Sequence, residues 1–214
     1  MGPELLNILG VSVLVSGVAI LVAMALGVPV GIFLGLHKFP GRRLIVTLVN
    51  TGMGLPPVVV GLVVFLLLSR SGPFGALELL YTPSAMIVAQ VIIATPLVVG
   101  VTLAAIQGLD DRLRLLVLSL GASRWQLYAK LAIEARLSLI AALAAGLGSI
   151  ISEVGAVMMV GGNIRGETRV MTTAIVLETR QGSFALAAAL SVVLLGVALS
   201  LNALITWIQQ RGRS

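Results

Sequence analysis

The stretch "LGASRWQLYAKLAIEAR", residues 120–136, carries three of the chain's 14 lysines and arginines in a sequence that is 58% hydrophobic and only 10% charged. Soluble domains hold about 25% charged residues, so the composition is that of a membrane protein and this stretch interrupts it. Working outward, apolar runs of the roughly 20 residues that a spanning helix needs recur at about 8–36, 44–68, 84–106, 137–160 and 184–208. The chain therefore reads as an all-α integral membrane protein, a single transmembrane domain over residues 1–214 with about five spanning helices. The first run exceeds what a bilayer requires, so its opening turn is expected in the interface or the helix is tilted.

Five spans put the termini on opposite sides, and basic residues favour the cytoplasm. Lys38, Arg42, Arg43, Arg112, Arg114, Arg124, Lys130, Arg136, Arg211 and Arg213 share one side, ten residues against the four of the other: Arg70, Arg165, Arg169 and Arg180. The N-terminus is expected outside and the C-terminus inside. Residues 109–136 then form a cytoplasmic loop and 161–183 an external one. A net charge of +6 scattered between apolar runs serves topology, not nucleic acid. The first basic residue is Lys38, so the apolar start lacks the positive region of a cleavable signal and reads as a retained span.

Several chemistries are excluded. There is no cysteine, and the one histidine, His37, lacks the converging ligands of a metal site and reads as a solvated loop residue. Neither Lys38 nor Lys130 follows a glycine, so no phosphate-cradling P-loop is present. A nucleophile with its base is missing from the spans, so no catalytic residue, metal or cofactor is assigned to this chain. A passive channel or membrane scaffold stays open as a non-enzymatic alternative.

Within the spans, Gly27, Gly31 and Gly35 recur every fourth residue and strip one helix face for close packing. In "GMGLPPVVVG", residues 52–61, Pro56 and Pro57 remove two consecutive amide donors and must break or kink the second span. Such a break is tolerated against protein or a water-filled cavity, so it is either a packing kink or part of a pathway. Glu153 falls in an apolar run, where an ionisable group costs a few kcal/mol unless paired or hydrated; it is expected to hold a gate or a helix-to-helix bond. In the loop after it, Arg165 and Arg169 suit oxyanion recognition, and the amides around Gly161, Gly162 and Asn163 could form an anion nest. The alternative is a solvated docking surface with salt bridges to Glu167 and Glu178, and the apolar "MTTAIVL" could form a short re-entrant or surface helix.

The opening stretch itself is amphipathic. As one helix, Leu116, Leu120, Trp125, Tyr128 and Leu131 fall broadly to one side, and Ser123, Gln126, Lys130 and Glu134 to another. Gly121, followed by Ala122 and Ser123, marks a turn between two short helices. Two readings stand: an interfacial helix resting Trp125 and Tyr128 at lipid headgroups, or a surface that docks on a cytoplasmic partner.

These residues resemble the cytoplasmic signature loop of permease subunits of ATP-binding-cassette importers: Glu-Ala-Ala, three residues, Gly, nine residues, Ile, one residue, Leu-Pro. Gly121 takes the glycine position, Leu131 the isoleucine and Ile133 the leucine. Leu115, Leu116 and Val117 stand in place of Glu-Ala-Ala, and Glu134 in place of proline. "GMGLPPVVVG" is similar to the Pro-Pro segment of oxyanion permeases, and "SEVGAVMMVGGNIRGETRVMTTAIVLETRQG", residues 152–182, to the corresponding segment of the molybdate, sulfate and especially tungstate branches. The resemblance implies a type I importer permease fold in a prokaryotic cell membrane, a homodimer around a central pathway, two ATPase subunits that hold ATP and Mg²⁺, and an external substrate-binding protein. It further implies that Leu120, Gly121, Ala122, Ser123, Arg124, Trp125, Tyr128 and Lys130 couple to the ATPase, and it makes Pro56, Pro57, Glu153, Gly161, Gly162, Asn163, Arg165 and Arg169 candidates for the pathway. The transported oxyanion is expected to be tungstate, with molybdate or sulfate as the alternative.

Overall fold

A computed structural model describes residues 2–211, all helix and connecting loop. Arg213, counted above on the cytoplasmic side, lies outside them. The helices are α1 (Gly2–Leu36), α2 (Arg42–Met53), α3 (Pro57–Leu68), α4 (Pro83–Gln107), α5 (Asp111–Ser119), α6 (Arg124–Glu134), α7 (Arg136–Ile151), α8 (Gly155–Gly161), α9 (Met171–Arg180) and α10 (Phe184–Arg211), with a 3₁₀ turn at Gly75–Leu77. Only α1, α4 and α10 are unbroken helices long and apolar enough to cross a bilayer among the described residues. The α2–α3 pair is bent by 104° and the α6–α7 pair by 71°. Along the five expected spans, α1, α4 and α10 are continuous, while two are interrupted, α2–α3 before Pro57 and α7–α8 between Ile151 and Gly155; the α6–α7 bend lies at the head of the latter.

Side-chain contacts sort the loops into two ends. At the end where α1 finishes, Arg42 Nε donates to Leu34 O at 2.8 Å, Arg114 to Leu36 O at 3.4 Å, and the Tyr128 hydroxyl lies 3.3 Å from His37 Nε2. Gln209, near the end of α10, reaches Leu137 O there too, at 3.4 Å. At the other end, Glu4 of α1 meets Arg165 and Arg169, and Tyr81 N donates to Val160 O at 2.8 Å. The chain passes between these ends five times.

The glycine stripe does what its spacing predicts. A Cβ on Gly27 would stand 2.8 Å from Val98 Cγ1, on Gly31 2.6 Å from Thr102 Cβ, and on Gly35 2.7 Å from Ile106 Cγ2. Those three partners are themselves four residues apart on α4, so the bare face of α1 receives a ridge of β-branched side chains from α4 and the two helices approach closely, the arrangement that dispersion favours in lipid. By contrast, α10 leaves Val192, Leu195, Leu199 and Leu204 exposed, an apolar face of the kind that lipid covers.

Both breaks have local causes. Pro56 caps α3 and Pro57 starts it, the first-turn position where a missing N–H costs nothing; Gly54 ends α2. The second break corrects the expected continuous span over 137–160. Helix α7 stops at Ile151, and α8 begins at Gly155, so Glu153 sits in the gap and not within a helix.

Candidate translocation pathway and coupling surface

The α5–α6 segment is two capped helices. Asp110 Oδ1 accepts from Arg112 N at 2.8 Å and starts α5. Gly121 takes φ +78°, a left-handed conformation that a side chain would oppose. Ser123 then opens α6 with a reciprocal box, its Oγ accepting from Gln126 N at 3.3 Å while Gln126 Oε1 accepts from Ser123 N at 2.7 Å. Each such cap contributes about 1 kcal/mol.

That turn resets the helical phase and corrects the predicted apolar face. Leu127 and Leu131 point inward, packing with Ile32, Ile106 and Ala135. Leu116 is exposed, Leu120 is 79% exposed and Trp125 80% exposed. Ala122 lies in the turn itself, and Arg124 and Lys130 face outward with Trp125. Tyr128 stays half-buried, edge-on to Trp125 with ring centroids 5.9 Å apart. His37, expected as a solvated loop residue, instead stacks on Phe33 at 4.5 Å and bonds Phe33 O through Nδ1 at 3.0 Å. With the Tyr128 hydroxyl at its other nitrogen, it ties the end of α1 to α6.

The two breaks meet inside the bundle. A Cβ on Gly61 of α3 would lie 2.5 Å from Ala156 Cα of α8, and one on Gly155 the same distance from Val58 Cγ2. The half-helices that follow Pro56–Pro57 and Glu153 are therefore packed backbone to backbone. Beside them, Pro56 and Pro57 line a cleft of about 270 Å³ with Ile92, Leu97 and Ser149. Glu153 is 9% exposed, and its carboxylate caps α8, Oε1 accepting from Ala156 N at 2.9 Å. Its carbonyl accepts from Thr172 Oγ1 at 2.9 Å, which joins the break to α9.

The apolar "MTTAIVL" forms the short helix α9 (Met171–Arg180). Its first turn, Met171–Ala174, is buried, and the Met171 amide donates to Ser12 Oγ of α1 at 2.9 Å. A cap is worth about 1 kcal/mol, so Glu153→Ala is expected to lower stability by about that much. Glu153→Gln keeps the acceptor and should hold stability within a few tenths. Thermal unfolding in detergent compares the two; equal losses would mean that the charge, not the cap, matters.

The loop before α9 differs from the sequence expectation in its ion pairs. Gly162 N donates to Met158 O at 3.0 Å, Ile164 N donates to Thr168 Oγ1 at 2.9 Å, and Gly161 belongs to α8, so the Gly162 and Ile164 amides are spent within the chain. Asn163 holds φ +53°, and its carbonyl receives Arg169 at 3.5 Å. Arg165 and Arg169 find their carboxylate in Glu4, 2.5 and 3.6 Å away, and not in Glu167 or Glu178 of the same loop. The hydrogen bond to Glu4, then its opposite charge, pushes the Arg165 pKa up. Arg165 is largely exposed and Arg169 mostly buried.

A bundle of apolar helices with three to five candidate membrane spans, and a capped helical corner projecting from one end, defines a polytopic membrane protein. Residues 27–214 match the family model described as "Binding-protein-dependent transport system inner membrane component". The chain belongs to that family. It is 43% identical over 205 residues, 94% of this chain and 88% of the relative, to a "Probable anion ABC transporter permease protein" of Haloferax volcanii. It is 39% identical to the "Tungstate uptake system permease protein TupB" of Peptoclostridium acidaminophilum, over 97% of this chain and 91% of that one. A "Sulfate transport system permease protein CysW" of Escherichia coli is 27% identical over 96% of this chain and 74% of its own length. Among solved structures, a bacterial ABC transporter that imports alginate shares the fold with TM-score 0.80 at 20% identity, over 96% of this chain and 79% of that one. The MetNI methionine ABC transporter does so with TM-score 0.73 at 19% identity, over 99% and 95%.

Proposed function

We propose that this chain is the transmembrane subunit of an ATP-driven importer and forms the pathway for tungstate. Two copies would enclose the pathway, with two ATPase subunits on the cytoplasmic face and a substrate-binding protein outside. The N-terminus lies outside in this reading, which places residues 109–136 in the cytoplasm as the coupling loop and residues 161–183 outside. ATP and Mg²⁺ belong to the partner, since this chain has no P-loop.

The observation that carries the reading is the α5–α6 corner: Leu120 and Trp125 are four-fifths exposed on a pair of well-capped helices, flanked by Arg124 and Lys130. A large aromatic anchor with basic neighbours is the make-up of an interface centre. Movement of that corner would pass to the bundle as a rigid-body shift, through Leu127, Leu131 and the Tyr128–His37 contact. The name of the 39% identical relative supports tungstate, and that of the 27% identical one keeps sulfate as the second reading.

In the pathway, the Pro56–Pro57 break and Glu153 act as a paired gate. A carboxylate repels an oxyanion, and Glu153 already spends an oxygen on α8, so its role is to hold the gate's shape. The exposed Arg165 belongs to the outer surface that receives the binding protein, and the mostly buried Arg169 holds that loop to Glu4. The test is uptake by proteoliposomes holding this chain with its ATPase and binding protein. Tungstate should accumulate only with ATP. Accumulation of sulfate or molybdate instead would move the substrate within the family, and ATP-independent flux would replace the reading with a passive channel.

A further inference from the structure

The end of the bundle where α1 and α4 stop holds a cavity of about 460 Å³ that the transport reading does not use. It is lined by Lys38, Arg42, Gln107, Asp110, Arg114 and Leu131. Among the described lining residues, three cations stand against one carboxylate, an unusual balance for a space between helices. The carboxylate is also committed, since Asp110 Oδ1 caps α5 through the Arg112 amide.

The two guanidiniums are fixed and yet unsaturated. Arg42 spends Nε on Leu34 O, and Arg114 spends one N–H on Leu36 O. These bonds to the last turn of α1 hold both side chains at the cavity wall, with the remaining donors of each five-donor fork available. Lys38 is exposed and makes no ion pair among the described residues. Gln107 adds an amide. Fixed guanidiniums with a mobile ammonium beside them are suited to a tetrahedral phosphate, which takes bidentate bonds from arginine and a point charge from lysine.

We infer that this cavity binds the phosphate of an anionic phospholipid headgroup at the leaflet boundary where α1 and α4 end. The depth favours lipid as the source of that phosphate. The cavity lies at the ends of two spanning helices, where headgroups sit, and Leu44 and Leu48 are exposed further along α2 from Arg42, giving acyl chains an apolar surface to follow. Basic pockets between helix ends bind such headgroups elsewhere. A lipid seated here would bridge the first loop, the end of α4 and α5, all of which adjoin the coupling corner.

Native mass spectrometry of the detergent-purified protein tests this with phosphatidylglycerol, phosphatidylcholine and inorganic phosphate as probes. Phosphatidylglycerol should bind in preference to phosphatidylcholine, and the Lys38→Gln, Arg114→Gln pair should weaken it about thirtyfold, on the scale of about 1 kcal/mol per basic residue. Lys38→Gln alone, at an exposed position that the fold does not need, should weaken it about fivefold. Arg43→Gln, an exposed arginine outside the cavity, should leave it unchanged. Undiminished phosphatidylglycerol binding by the double variant would overturn the site, as would an equal loss in Arg43→Gln. Displacement of bound lipid by millimolar inorganic phosphate would overturn the lipid assignment in favour of a free oxyanion.

Discussion

A chain in which Arg124 and Lys130 are both changed to glutamate is expected to insert and fold normally and to lose ATP-driven uptake by about a hundredfold. Both side chains are exposed, and neither has a bond that α6 depends on, since that helix is held by the Ser123–Gln126 box and by Leu127 and Leu131. Reversing a charge within an interface costs several kcal/mol through like-charge contact, and about 2.7 kcal/mol is a hundredfold in affinity. Trp125→Ala should lose a comparable amount by emptying a pocket of the partner. The contrast is Leu127→Ala, which opens a cavity in the protein's own core and should cost about 2–5 kcal/mol of stability. Co-purification of the ATPase together with proteoliposome uptake reads the first effect, and thermal unfolding the second. Normal uptake by the charge-reversed chain would dismiss the corner as the coupling surface.

Gly61→Val is expected to disrupt the bundle by about 3 kcal/mol, the upper part of the range for overpacking. The added Cβ would meet Ala156 Cα at 2.5 Å and Ala156 O at 3.3 Å. Those are backbone atoms, with no rotamer to turn aside, so α3 and α8 must separate. Gly17 has nothing within 4 Å of its would-be Cβ, and Gly17→Ala should be neutral or gain up to about 1 kcal/mol from helix propensity. A lower unfolding temperature and loss of the monodisperse chromatographic peak for Gly61→Val alone would match the packing described. Equal behaviour of the two variants would contradict it.

The sequence made the spans legible because hydropathy over 20 residues needs no knowledge of neighbours, and the α1 stripe because its period of four is the helix's own. Pro56 and Pro57 announced the first break by removing donors. The second break was missed for lack of proline, although Ser152, Glu153 and Gly155 in an apolar run were a capping signal that could have marked it. The face of α5–α6 was misjudged because a single left-handed residue, Gly121, shifts the helical phase, so spacing counted through it loses meaning. Glu4 could not be paired with Arg165 and Arg169 from sequence, as the partners lie 161 residues apart in one case and only the folded chain brings them together.

The partnership of α1 with α4 also sets an order in time. Val98 follows Gly27 by 71 residues, and at about 5–20 residues per second of synthesis the first helix waits roughly 4–14 seconds before the face that fits it has been made. During that interval its bare glycine face is open to any helix nearby, and the broken α2–α3 segment must be threaded past it without claiming the place. Assembly of this protein is therefore paced by the ribosome, and a variant that slows elongation between α1 and α4 would lengthen the period in which a stray helix can occupy the groove first.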